Sequence, residues 1–187
     1  TLAAAHVLWQ TGAVARSQVL RFETRSGLLE ASAEGEWIRL DFPRIPLAPL
    51  TLDPAYAEAL GCTPLQTLAA GAKFLLVLGS EEEVQGLKPD FHALRALPGR
   101  GLMVTAPSSR GGDDFVSRYF APWVGVEEDP VTGSNHCALV PFWAERLGKR
   151  ELRARQISAR CGELKLVLQG DRVLMSGQAL TLWQGEW

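Results

Sequence analysis

The chain has 187 residues, 47% hydrophobic and 21% charged, with 19 basic and 21 acidic side chains and a net charge of −2. This ordinary globular composition allows one large domain or two small ones around a sizeable core. It excludes the clustered basic surface that binds nucleic acid, and no apolar run reaches membrane-span length, so neither partner is expected. The three cysteines, Cys62, Cys137 and Cys161, fit neither a disulfide framework nor a metal-ligand pattern. A reducing, cytoplasmic setting without a metal is the expectation they support.

Thr1 reads as the N-cap of a helix whose apolar residues Leu2, Ala5, Leu8 and Trp9 run to a stop at Gly12. A buried helix with no earlier element to cover it leads us to expect a natural start upstream of Thr1. Residues 19–24, 27–32 and 37–42 read as an antiparallel meander, with turns at Ser26-Gly27 and Glu34-Gly35. Pro43, Pro46 and Pro49 then break the pattern and suggest a boundary. Residues 1–46 become the remnant of a first lobe and 47–187 a second lobe. Asp53-Pro54 starts a short helix that ends at Gly61. Strands are expected at 65–70, 73–78, 102–106 and 114–120, and helices at 80–86, where Ser80 and Glu83 suggest a capping box, and at 90–97.

The centre of the second lobe is the stretch 127–149, EEDPVTGSNHCALVPFWAERLGK. Ala138, Leu139, Phe142, Trp143 and Leu147 recur at helical spacing, and Gly148 with Lys149 closes the element, giving a buried helix over about 133–148. Four short strands follow, at 154–158, 163–168, 172–176 and 178–183. Each end of the chain thus gives a helix followed by a meander, an echo that suggests two lobes with both helix N-termini facing one cleft. Such termini carry unpaired N–H groups and positive dipole, so the cleft is suited to a small anion.

Asp129 stands at that mouth, either as a turn residue or as a ligand-binding carboxylate. Ser134 suits an N-cap and a substrate contact equally. Gly133 permits close approach of a ligand. His136 and Cys137 are adjacent on a helix and diverge, so they read as one packed and one partly polar residue and not as an acid–nucleophile pair. Glu81, Glu82 and Glu83 read as an acidic helix start facing water, Arg110 as a solvated residue of the 108–114 loop, and Phe142, Trp143 and Trp183 as core.

The runs Glu128-Asp129-Pro130-Val131-Thr132-Gly133-Ser134, His136-Cys137-Ala138-Leu139, Phe115 through Pro122, and Arg155-Gln156-Ile157-Ser158 closely resemble the signature of PhzF-like phenazine-biosynthesis isomerases. Thr1 through His6 resembles the continuation of that family's Gly-His-Ala-Thr-Leu-Ala-Ala-Ala segment, and the resemblance covers essentially the whole chain. It implies an α+β, diaminopimelate-epimerase-like fold: two lobes, each a curved, mostly antiparallel sheet around a central helix, the first lobe incomplete here. It also implies cofactor-independent acid–base isomerisation of a small carboxylate-bearing substrate by a homodimer. Asp129 and Ser134 are then the catalytic candidates, and Thr132, Gly133 and Asn135 the substrate-binding ones. Thr132 takes the place of a catalytic Cys in the related epimerases, which disfavours two-base racemisation through a thiolate. The family's catalytic Glu and a Gly-His pair would precede Thr1, so the chain as it stands is expected to lack the main acid–base residue. The rival expectation is a truncated or partner-completed fragment that binds a ligand or protein without turnover, and a third is a purely structural interaction module. Cys161 stands where many relatives carry glycine, and Asn135 where a small Ala is usual.

Overall fold

The computed structural model describes residues 1–24 and 27–185; Arg25, Ser26, Glu186 and Trp187 lie outside the described residues, and the expected Ser26-Gly27 turn falls on that gap. Helix α1 (Leu2–Gln10) leads into the meander β1 (Leu20–Thr24), β2 (Gly27–Glu34) and β3 (Trp37–Pro43). A two-residue strand β4 (Ala48–Pro49) and helix α2 (Pro54–Leu60) precede the hairpin β5 (Gln66–Ala70) and β6 (Lys73–Val77). Helices α3 (Glu81–Gly86) and α4 (Phe91–Ala96), strands β7 (Leu102–Pro107) and β8 (Phe115–Ala121), a 3-10 turn and a short β9 (Val126–Glu128) lead to α5 (Gly133–Leu147). The chain closes with β10 (Glu151–Gln156), β11 (Gly162–Gln169) and β12 (Arg172–Gly177).

Local chemistry explains most of the boundaries. Asp53 caps α2 by accepting from Ala55 N–H at 3.0 Å, with Pro54 in the first turn and Gly61 left-handed at the other end. Ser80 accepts from Glu83 N–H at 3.2 Å while Glu83 accepts from Gly79 N–H at 3.1 Å, a near relative of the expected capping box. Asp90 accepts from both His92 and Ala93 N–H.

The strands form one continuous, mostly antiparallel sheet in the order β1-β2-β3-β12-β11-β10-β8-β7-β6-β5-β4, with β9 added beside β8. Parallel pairs occur at β6–β7 and β8–β10. The proline-marked boundary at residue 46 falls between β3 and β4, which stand far apart in this order, and β3 pairs with β12 from the other end of the chain. One face of the sheet wraps α5 and carries α1, whereas α2, α3 and α4 pack on the opposite face of β6, β7 and β8.

Wrapping explains why α5 is buried beyond a single stripe. Asn135 through Val140 are all buried, polar Asn135 and His136 included, whereas Leu147, expected on the buried face, is 42% exposed at the end of the helix. Pro141 lies inside the helix and has no N–H to give the carbonyl of Cys137; that carbonyl accepts instead from Ile45 N–H at 2.8 Å. The helix interior is thereby fastened to the proline-rich connector.

Two expectations require correction. Residues 178–183 form no strand, and Trp183 is 74% exposed and not core. The final meander therefore has three strands, which matches the three after α1 more closely than the expected four. Glu81 does not face water: it is 9% exposed and accepts from Ser108, Ser109 and Arg155, with Arg155 also paired to Asp113 at 2.6 Å. The adjacent acids and the Ser108-Ser109 loop looked like solvated surface, but β10 supplies a partly buried arginine that sequence proximity does not show. Among the described residues no helix is long and apolar enough to cross a membrane, and no group of ligating side chains is placed to hold a metal.

Candidate functional site

The three acids at 127–129 separate on folding. Glu127 pairs with Arg95 at the surface, and Glu128 is clasped by Arg118 through Nε at 2.7 Å and Nη2 at 3.0 Å. Arg118 also donates to the carbonyls of Val84 and Leu87 at the end of α3, so this pair anchors β9 to the scaffold. Asp129 is left at the start of the loop that enters α5, its N–H bonded to the Tyr119 carbonyl at 3.1 Å.

That loop is held by residues from β10 and just beyond it. Gln156 is fully buried; its Oε1 accepts from Thr132 N–H at 2.7 Å, and its Nε2 donates to the Asp129 carbonyl at 2.7 Å and to Thr132 Oγ1 at 3.1 Å. Ser158 donates to the Pro130 carbonyl at 2.8 Å. The Arg155-to-Ser158 run is thus a clamp on the Asp129-to-Ser134 run, which gives the two sequence motifs one physical purpose. Close packing adds to it: a Cβ on Gly162 would stand 2.3 Å from Val131 Cγ2, and one on Gly133 would stand 3.3 Å from Met175 Sδ.

Thr132, buried at the N-cap of α5, gives no side-chain cap to the helix; its hydroxyl donates to Asp129 Oδ2 and accepts from Gln156. Ser134 is therefore a first-turn residue and not the N-cap. The Thr132 carbonyl accepts from Asn135 N–H at 3.2 Å and from His136 Nδ1 at 2.9 Å. A carbonyl can only accept, so His136 carries its proton on Nδ1, and its buried Nε2 has no partner among the described residues. Burial pushes the His136 pKa down to about 4, with the Thr132 carbonyl opposing in part. Burial likewise pushes the Cys137 thiol up to about 12 against the pull of nearby Lys73, so it is no thiolate nucleophile at neutral pH.

A cavity of about 780 Å³ opens at this mouth. It is lined by Gly133 and Ser134 from the first turn of α5, by Thr1, Leu2 and Ala3 from the start of α1, and by Val131, Gly162 and Met175 among others. Both helix N-termini thus meet one cavity. Gly133 and Ser134 N–H have no protein acceptor among the described residues, as first-turn geometry dictates. Asp129, Thr132 and Asn135 stand beside the cavity but do not line it. Glu163 does line it, an exposed carboxylate that sequence reasoning passed over because its alternation on β11 reads as a solvent face. Cys161, also on the wall, has φ +52°, a left-handed conformation that accounts for glycine being the easier residue there.

Lys73 was also missed. It begins β6, and its ammonium donates to Ser134 Oγ at 2.8 Å and Asn135 Oδ1 at 2.9 Å, lying 4.8 Å from the Tyr119 ring centroid. Its position before an apolar run, 61 residues from Ser134, gives no sequence signal. Arg110 is exposed, and the 108–114 loop serves the Glu81 network and does not line the cavity.

Comparison with known proteins agrees with this architecture. The family PhzC-PhzF, described as phenazine biosynthesis-like protein, matches residues 1–185. An uncharacterized isomerase of Halalkalibacterium halodurans is 44% identical over 187 residues, 100% of this chain and 71% of the relative. The crystal structure of a putative phenazine biosynthesis PhzC/PhzF protein from Clostridium difficile superposes with a TM-score of 0.87 at 38% identity, covering 100% of this chain and 71% of that one. A predicted epimerase from Pseudomonas aeruginosa shares the fold at a TM-score of 0.64 and 18% identity, over 98% of this chain and 73% of that one. The fold is α+β and epimerase-like, as the motif resemblance implied.

Proposed function

This chain belongs to the phenazine biosynthesis-like PhzC-PhzF family, a family of isomerase and epimerase type, and from that premise we propose that it forms the carboxylate-binding side of a cofactor-independent isomerase site. The observation that carries the reading is the open first turn of α5, where Gly133 and Ser134, whose N–H groups have no protein acceptor among the described residues, line a cavity that the start of α1 also lines. The dipole and N–H groups there favour a carboxylate, Gly133 allows close approach, and Ser134 offers a hydroxyl. Asp129, oriented by Thr132, is one carboxylate of an acid–base pair: it binds a polar substituent of the substrate and passes a proton while the substrate isomerises without net redox change. By the resemblance the other member is a Glu.

The test is solvent deuterium incorporation into a panel of small 2-hydroxy and 2-amino carboxylates. The expected result is binding without exchange by this polypeptide alone, and exchange when it is co-expressed with the portion of the Halalkalibacterium halodurans relative that lies outside its matched region. Exchange by this chain alone would overturn the requirement for an additional Glu. The second reading, a binding fragment without turnover, is favoured by the separation of Asp129 from the cavity wall; it gains if complementation restores no exchange in any substrate. The homodimer that the resemblance implies belongs to the same proposal and is tested by light scattering after size-exclusion chromatography. Exposed Val7, Leu180, Leu182 and Trp183 are consistent with a covered apolar surface, and a monomer at micromolar concentration would refute it.

A further inference from the structure

Lys73 is an unusual neighbour for a helix N-terminus. An ammonium placed beside the positive end of α5 is disfavoured by the dipole, and Arg100 adds a second positive charge nearby. Anything that places negative charge at this mouth relieves that repulsion. Hydrogen-bond polarity is equally informative. An ammonium has three N–H donors and no lone pair, so Ser134 Oγ and Asn135 Oδ1 both accept from it. With its oxygen engaged as an acceptor, the Ser134 hydroxyl keeps its proton for something else, and Ser134 lines the cavity. On the α5 side the mouth then presents donors, Gly133 N–H, Ser134 N–H and Ser134 O–H, while Glu163 stands as a carboxylate on the β11 wall.

We propose that Lys73 is a positioning and specificity-determining residue, which fixes the Ser134 hydroxyl as a donor and makes the mouth of α5 selective for an ionised carboxylate over a neutral group of the same shape. The inference rests on the reading of that mouth as a carboxylate site and adds the residue that sets its charge and polarity. Asn135 belongs to the same device: its amide oxygen holds the ammonium in place, whereas an alanine there would leave Lys73 one acceptor fewer. The small-residue position that Asn135 occupies thus acquires a reason tied to Lys73.

The groups facing Lys73 are Ser134, Asn135 and Cys137 on α5, Tyr119 on β8, Arg100 before β7 and Asp129 before α5. Burial lowers the Lys73 ammonium below the ordinary lysine value; Cys137 and Asp129 pull it back up, and Arg100 pushes it down. Cys137 exerts that pull only once ionised, and its thiol is pushed up to about 12. Burial and Asp129 raise Tyr119 above the ordinary tyrosine value. Loss of the Lys73 proton therefore weakens anion binding, so affinity falls as pH rises through its titration.

The experiment uses the full chain with acetate and its neutral isostere acetamide as probes, at constant ionic strength. Amide shifts of Gly133 and Ser134 report binding at pH 7, and saturation transfer to the probe methyl group follows it from pH 7 to about 11. Wild type is expected to prefer acetate and to lose it with rising pH. Lys73→Met should bind acetate about tenfold or more weakly, with the Lys73-dependent alkaline limb removed and acetamide binding unchanged. Lys73→Arg should restore most of the affinity and hold it to higher pH, which a merely structural role would not produce. If Lys73→Met does not fold, the alkaline shift in Lys73→Arg decides alone. Acetate affinity within twofold of wild type in Lys73→Met, or an alkaline limb unmoved in Lys73→Arg, overturns this inference. A wild-type mouth silent to acetate overturns the carboxylate-site reading itself and this inference with it.

Discussion

Gln156→Leu is the sharpest perturbation of the loop that carries Asp129. The side chain is fully buried and is the sole described acceptor for Thr132 N–H, as well as a donor to the Asp129 carbonyl. Leucine has similar volume and no polar atom, so the buried Thr132 N–H and the partly buried Asp129 carbonyl both lose their partner. Each orphaned group costs about 1–3 kcal/mol, and the third bond, to Thr132 Oγ1, adds little because that hydroxyl keeps Asp129. The extra apolar atoms return about 1 kcal/mol, leaving a net loss of about 1–5 kcal/mol against a typical total of roughly 5–15. With a urea slope of about 2 kcal/mol per molar, the denaturation midpoint should fall by about 0.5–2.5 M at unchanged slope. Gln169→Leu, an exposed glutamine on β11, should shift it by no more than about a quarter of that. A Gln156→Leu midpoint equal to that control would refute the clamp, because two orphaned groups cannot be free of cost.

Gly162→Ala should cost about 1–3 kcal/mol and displace Val131, since its Cβ would sit 2.3 Å from Val131 Cγ2; thermal unfolding measures the first effect and loss of carboxylate binding the second. His136 has a folded pKa near 4, below its ordinary 6.5, so its contribution is complete above about pH 6.5 and is lost as pH falls to about 4, an effect of about 3 kcal/mol. Stability measured across that window should slope in wild type and flatten in His136→Phe. For Glu81, burial by itself raises the pKa, but Ser109 N–H, Arg155 and Ser108 outweigh it and hold the carboxyl at about 2. A depressed carboxylate contributes above its ordinary value of 4.5 and is lost as pH falls toward 2, so Glu81→Gln should remove the slope in that lower window and leave the His136 window intact.

What could be read from the sequence followed from local periodicity and capping chemistry. The three-and-four spacing of Ala138, Leu139, Phe142 and Trp143 located α5, and alternation located the meanders, because those patterns are imposed by the element itself. The Asp129-to-Ser134 run was legible as a helix mouth for the same reason. What escaped notice depends on contacts across the sheet. Lys73 reaches Ser134 only because β6 passes the open end of α5, and Gln156 reaches the loop only because β10 runs beside β8. Arg155 makes Glu81 a buried partner although the two are 74 positions apart. Trp183 misled because aromatic content was taken for burial in a tail that forms no strand. Leu147 misled in a smaller way, lying on the apolar stripe but past the point where the sheet covers the helix.

The central claim is that the first turn of α5 is a carboxylate site. It is tested most directly by determining the structure of the chain soaked in a small carboxylate and, in parallel, in its amide. The carboxylate oxygens are expected within hydrogen-bond reach of Gly133 and Ser134 N–H and of the Ser134 hydroxyl, with the amide absent from that place. A carboxylate bound elsewhere with the α5 mouth vacant, or carboxylate and amide held there equally well, would contradict it.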